Sequence, residues 1–164
     1  MATNSFLQEL NIQLALFNDT DVGHDGDWVN LSNYSSLVVA VMGEDAAAGD
    51  DVEISVMQAT SNTGGSEKSF SPRRYYLKES SDAGVGGSYA EQAPDSDGNI
   101  TIEGDDFNRL LFEIRADELD VANGFEYVQV NHDGGGSANK FISITYILCG
   151  PRYAVPPDQY PDVH

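Results

Sequence analysis

Apolar and polar side chains alternate at every second position along most of this chain, a period that suits strands and little else. Leu10, Ile12, Leu14 and Leu16 alternate with Asn11, Gln13 and Ala15, the pattern of a half-buried strand. Val52, Ile54 and Val56 repeat the pattern, as do Leu110, Phe112 and Ile114 with Arg109, Glu113 and Arg115 between and around them. Leu37–Met42 is apolar on both faces, as expected of a strand inside a sandwich. Shorter extended pieces are expected at Val29 and Leu31 and at Ile100 and Ile102, and one strand over Phe70–Lys78. The chain closes with Phe125–Val130, a glycine-rich loop over Asn131–Asn139, and the strong strand Phe141–Leu148.

Helix is confined to one candidate of one or two turns, Asp117–Gly124, with acids at its start and glycine at its end, and a single turn at Asp105–Phe107. Ser80–Gly98 is the longest loop, and loops of that length in a compact domain usually serve binding or move. About eight strands divided by turn-rich loops predict an all-β, single-domain β-sandwich of jelly-roll character over residues 1–149. An extended arm follows over residues 150–164, where Pro151, Pro156, Pro157 and Pro161 oppose helix and favour a polyproline conformation.

Charge narrows the partners. The chain has 27 acidic and 8 basic residues, a formal net charge of −19. Phosphate or an anionic membrane surface would have to approach against that field, so neither nucleic acid nor membrane is an expected partner. No basic-then-apolar leader opens the sequence, and no stretch of about 18 apolar residues would span a bilayer. Asn18, Asn30, Asn33 and Asn99 head glycosylation sequons, read as chance without a secretion signal.

Catalytic and metal chemistry find no coherent set of residues. The single cysteine, Cys149, follows Ile147 and Leu148 and reads as a small buried hydrophobe with no sequence-evident base. His24, His132 and His164 lack the spacing of a zinc site. Asp95–Asp106 has its glycine at the fourth position rather than the sixth and no glutamate at the twelfth, so a solvated turn is expected there instead of a calcium loop. The acids Asp19, Asp21, Asp25 and Asp27 read the same way. No catalytic residue, cofactor or metal is assigned, and an enzyme is not expected.

Scarce cations are more informative than abundant acids. Lys68, Arg73, Arg74 and Lys78 crowd one segment, beside Tyr75 and Tyr76. They either balance the sheet's own acids or form a contact patch, where arginine pairs bidentately and tyrosine is enriched. Arg152, Tyr153, Val155 and Tyr160 would anchor the C-terminal arm on a neighbour. The interface candidates are therefore Arg73, Arg74, Tyr75, Arg152, Tyr153, Val155 and Tyr160.

Several segments in order carry a family resemblance: Ser5–Leu10 (Ser-Phe-Leu-Gln-Glu-Leu), Val29–Tyr34 (Val-Asn-Leu-Ser-Asn-Tyr) and Phe70–Tyr75 (Phe-Ser-Pro-Arg-Arg-Tyr). They continue with Phe112–Leu119, Phe125–Val130 and Leu148–Ala154. Together they cover most of the chain, which resembles the small structural proteins of tailed bacteriophages that decorate or cement the capsid. The resemblance implies a virion protein on the capsid surface, made in the host cytoplasm, with no catalytic residues. Its implied partners are the major capsid protein and copies of itself, a trimer being one such arrangement. This chain is more acidic than that family leads one to expect, and its tail beyond Ala154 is longer. A carbohydrate- or ligand-binding module built on Ser80–Gly98 and Tyr89, a calcium-dependent adhesion domain, and a tail or neck component are the alternative readings.

Overall fold

The computed structural model of the protein describes residues 10–18, 23–44, 51–78, 87–102, 107–134 and 141–151. Among these, the chain forms β1 (Leu10–Asn18), β2 (His24–Asp25), β3 (Val29–Asn30), β4 (Ser36–Glu44), β5 (Val52–Ala59) and β6 (Lys68–Ser69). It continues with β7 (Tyr75–Lys78), β8 (Ala90–Gln92), β9 (Ile100–Ile102), β10 (Phe107–Arg115), β11 (Tyr127–His132) and β12 (Phe141–Cys149). Two short 3-10 turns, Ala116–Glu118 and Val121–Asn123, fill the expected helical segment, and Gly124 ends the second at φ 83°, the left-handed conformation glycine adopts freely.

The strands form two antiparallel sheets. The first runs β1-β12-β4-β10-β7-β8; the second runs β2-β11-β5-β6, with β3 also on β11 and β9 also on β5. β2 and β3 line the same edge of β11, at His132 and Asn131 and at Tyr127 and Val128. β6 and β9 share the far edge of β5 in the same way. With β2 and β3 counted as one row, β6 and β9 as another, and the β7–β8 hairpin set aside, eight rows remain. Numbered along the chain, they order as 1-8-3-6 in one sheet and 2-7-4-5 in the other. That is the jelly-roll order, in which first and last strands pair and each sheet takes alternate turns of the chain. The β7–β8 hairpin is inserted between the two halves of the fifth row and widens the first sheet.

The core lies between the sheets and is aliphatic. Leu37, Val39 and Val41 of β4, Leu110, Phe112 and Ile114 of β10, and Ile142, Ile144, Tyr146 and Leu148 of β12 face it from one side. Val52, Ile54, Val56, Val128 and Val130 meet them from the other. Burial of each such side chain is worth about 1.5–3 kcal/mol, so period-two alternation in these strands is the main force that selects the fold.

A polar connection crosses the core. The gap between β2 and β3 leaves the N–H and C=O of Val130 without strand partners. Gly26 N–H donates to Val130 O at 3.1 Å, and Val130 N–H donates to Tyr146 Oη at 2.8 Å, reaching across from the first sheet. Gln129 Nε2 donates to Gly26 O at 2.6 Å, and Asn131 Oδ1 accepts from Gly26 N–H at 3.2 Å. Burial pushes the Tyr146 hydroxyl far above its ordinary pKa, so it stays protonated. Next to this node, Asp27 N–H donates to Ala15 O at 3.2 Å and ties the edge of β1 to the second sheet.

Three sequence expectations need correction. Phe70–Lys78 is not one strand: only Tyr75–Lys78 is, as β7 in the first sheet, while β6, just before Phe70, lies in the second, and the chain crosses between them around Pro72, which cannot donate to a ladder. The loop over Ser80–Gly98 contains β8, which pairs Ala90, Glu91 and Gln92 with β7. In β1, the side chains of Ile12 and Leu14 face outward and Asn11 faces inward, the reverse of a half-buried strand with its apolar side on the core. A bulge between Leu14 and Leu16 absorbs Ala15, so the alternation changes faces there and Leu16 returns to the core.

Candidate interaction face

β1 is set in its sheet at a cost. Asn11 Nδ2 is buried with no hydrogen-bond partner among the described residues, a state that costs about 1–3 kcal/mol. Ile12 and Leu14 are 60% and 57% exposed, giving up most of the stabilisation that burial of such side chains supplies. They are not isolated. Cross-strand pairing carries the row from Leu14 through Thr145 and Ala40 to Leu111 and Tyr76. A parallel row joins Ile12, Ile147, Val38 and Glu113. Ser143, Met42, Arg109 and Lys78 form a third, with Met42 57% exposed, and Phe141 lies half-exposed at the same end. The outer face of the first sheet is thus largely apolar over three adjoining strands, β1, β12 and β4, and charged along β10. Most antiparallel sheets of this kind turn a polar face to water.

Acid is scarce on this face. Among its described side chains in β1, β4, β10 and β12, Glu113 is the one acid, against Arg109 and Arg115. The chain as a whole carries 27 acids and 8 bases. Cations collect instead along the flank of the face, where the sequence placed its interface candidates. Arg73 Nε lies 2.6 Å from Glu118 Oε1, and Arg74 Nη1 lies 3.4 Å from Glu91 Oε2. Arg115 grips Asp117 bidentately through Nε and Nη2, both at 3.0 Å. Lys68 pairs with Asp120 and stands 4.0 Å above the ring of Phe125. The hydrogen bond from Arg115 lowers the pKa of Asp117, and those from Lys68 and Asn123 lower that of Asp120. The charge of Glu91 raises the pKa of Arg74, and the hydrogen bond to Asp117 raises that of Arg115.

Two adjoining open grooves of about 470 and 370 Å³ share Arg73, Arg115 and Glu118 as lining. Their charges pair with one another, so the grooves present balanced ion pairs rather than a cationic pocket. Tyr75, expected at an interface, is turned into the core by strand alternation and donates its hydroxyl to Gln92 Oε1 at 2.8 Å. Tyr76 is the tyrosine on the surface, and its hydroxyl donates to Glu91 Oε2 at 2.9 Å. Arg152, Tyr153, Val155 and Tyr160 lie outside the described residues.

The other sequence candidates resolve into local structure. Asp95 Oδ1 accepts the N–H groups of Asp97 and Asn99, both at 2.9 Å, which closes a turn on itself. Among the described residues no group of three or more His, Cys, Asp or Glu side chains could hold a metal ion. His132 ends β11 instead of lying in a loop; its Nδ1 accepts the Gly134 N–H at 3.1 Å, and its ring lies 5.9 Å from that of His24. Burial pushes the Cys149 thiol up, away from the thiolate a nucleophile needs. Ile12, Leu14, Met42 and Phe141 were missed as surface residues. Two signals pointed to the first three: the run Leu10–Asn18 has no charge, and Leu37–Met42 is apolar on both faces while only one can meet the core.

Strand order and exposed face together define an antiparallel jelly-roll sandwich that offers one apolar sheet surface. Among the described residues no helix is long and apolar enough to cross a membrane. No protein-family model matches the chain, and no curated protein matches it. Among solved structures, the SPBc2 prophage-derived protein YomS is similar at a TM-score of 0.43 and 8% identity, over 85% of this chain and 92% of that one. A likeness of that degree carries no argument, and the class rests on the strand order.

Proposed function

We propose that this chain is a virion structural protein that decorates and stabilises a tailed-phage capsid by binding the outer lattice of the major capsid protein. The observation that carries the reading is the broad apolar face of the first sheet, an adhesive surface in a chain otherwise dominated by acid. The jelly roll is a fold that viral capsid and lectin domains share, and the segments from Ser5–Leu10 to Leu148–Ala154 resemble capsid decoration proteins. A modest contact repeated over a lattice gives high avidity. The acidic remainder keeps the protein soluble.

Capsids purified without this protein, then mixed with the full chain, are expected to bind it at a fixed ratio to the major capsid protein and to break open at a higher temperature. Removal of Pro151–His164, which begins after β12 ends at Cys149, is expected to weaken attachment and leave the melting temperature of the free chain unchanged. Co-sedimentation and capsid melting curves report both. Binding no better than that of an unrelated acidic protein would refute the reading.

A further inference from the structure

We infer that the outer face of the first sheet is a self-association surface on which a second copy of this chain packs by a two-fold axis, β1 and β12 against their counterparts. The inference concerns the free protein and does not rest on the capsid reading; on a capsid, the lattice would compete with the second copy for this face.

Size, charge and register each favour a second copy as the occupant. β1, β12, β4 and β10 are each nine residues long. Strands about 4.8 Å apart, rising about 3.3 Å per residue, give those four a flat area of roughly 600 Å² before side-chain relief is counted. A stable interface takes about 600–1,000 Å² from each partner, and these four strands supply the lower end of that range. Two copies of a chain at −19 repel, and any face dense in carboxylates would stack acid on acid. This face has the single acid Glu113 among its described central side chains, so it is a surface two copies can bring together without that cost. A two-fold contact also needs a surface that complements itself, and rows of aliphatic side chains flanked by both signs of charge meet that need.

The register of β1 points the same way. A shift by one residue would turn Ile12 and Leu14 to the core and Asn11 to water. The observed pairing, Ile12 with Ile147 and Leu14 with Thr145, buries the amide and shows the hydrophobes. A covering copy restores the burial that this register forgoes.

Sedimentation velocity of the full chain tests the inference, from low to high micromolar concentration in salt that screens the net charge. The expected result is a concentration-dependent mass of two chains. Leu14→Lys and Ile12→Lys are each expected to raise the dissociation constant about 100-fold, as loss of a buried anchor from both sides of a symmetric contact does. Both positions are exposed, so circular dichroism and melting temperature should match the parent. Met42→Lys provides a second reading from the neighbouring strand, and Val121→Lys, on an exposed turn outside the face, should leave association unchanged. A mass of one chain at every concentration overturns the inference, and so does a mass of three. A dimer that survives Ile12→Lys, Leu14→Lys and Met42→Lys overturns it as well.

Discussion

Tyr146→Ala is expected to remove about 5 kcal/mol of stability, close to the whole of what a marginal domain holds. Tyr146 is fully buried at the centre of the sandwich, and truncation of a core aromatic costs about 3–5 kcal/mol in lost transfer energy and cavity. Its hydroxyl is also the acceptor for Val130 N–H at 2.8 Å, and a buried donor left alone costs about 1–3 kcal/mol more. Tyr146→Phe separates the two contributions, since the ring stays and the acceptor goes. Urea titrations should place the phenylalanine variant about 1–3 kcal/mol below the parent, with the alanine variant unfolded or nearly so in dilute buffer. A phenylalanine variant as stable as the parent would show that Val130 finds another acceptor and that the link between sheets is not the one described.

Gly26→Ala is the second large effect, at about 3 kcal/mol. A Cβ on Gly26 would stand 2.5 Å from Val130 O and 3.2 Å from Tyr146 Oη. The closer neighbour is backbone in the middle of β11 and cannot swing aside as a side-chain tip can. Overpacking of this kind typically costs about 1–3 kcal/mol, and displacement of Gly26 also strains its hydrogen bonds to Val130, Gln129 and Asn131. For a chain of this length the melting temperature should fall by roughly 6–12 °C. Gly43→Ala is the control: there a Cβ would meet Phe141 O at 3.8 Å, an ordinary contact, so the melting temperature should hold or rise slightly. Equal behaviour of the two variants would contradict the close approach at Gly26.

The contrast between these sites and the strands shows what could be read from the chain alone. β4, β5, β10 and β12 were legible because their burial follows their own alternation, so local pattern and tertiary role agree. The turn at Asp117–Gly124 was legible from its acids and glycine, with Gly124 in the left-handed conformation the reading requires. The Gly26 node was not, because its partners lie 103 to 105 positions away and nothing near Gly26 announces them. β2, β6 and β8 were missed for the same reason: two or three exposed residues become strands only because a long neighbour offers them a ladder. The surface that matters most was half-legible. Leu37–Met42 declared itself apolar on both faces, but the sandwich interior accounts for one face only. The facing of β1 depends on a bulge at Ala15, and a period of two does not say where its phase will slip.

The cationic segment shows a second limit. Sequence placed Lys68, Arg73 and Arg74 together and left open whether they serve a partner or the chain itself. Their acids, Asp120, Glu118 and Glu91, come from elements 52, 45 and 17 positions further along, so the pairing emerges only once β6 and β7 have separated into different sheets. With these cations balanced, adhesion is assigned to the apolar sheet face and not to the arginines.

The claim at the centre of this account is that the outer face of the first sheet is covered when the protein is at work. Hydroxyl-radical footprinting of the full chain, read residue by residue by mass spectrometry in dilute and in concentrated solution, tests it directly. The account predicts that Met42, Phe141, Leu14 and Ile12 lose most of their reactivity on concentration, while Tyr89 and Val121, equally exposed elsewhere, keep theirs. Unchanged reactivity at Met42 and Leu14 across that range, or equal protection at Tyr89, would contradict it.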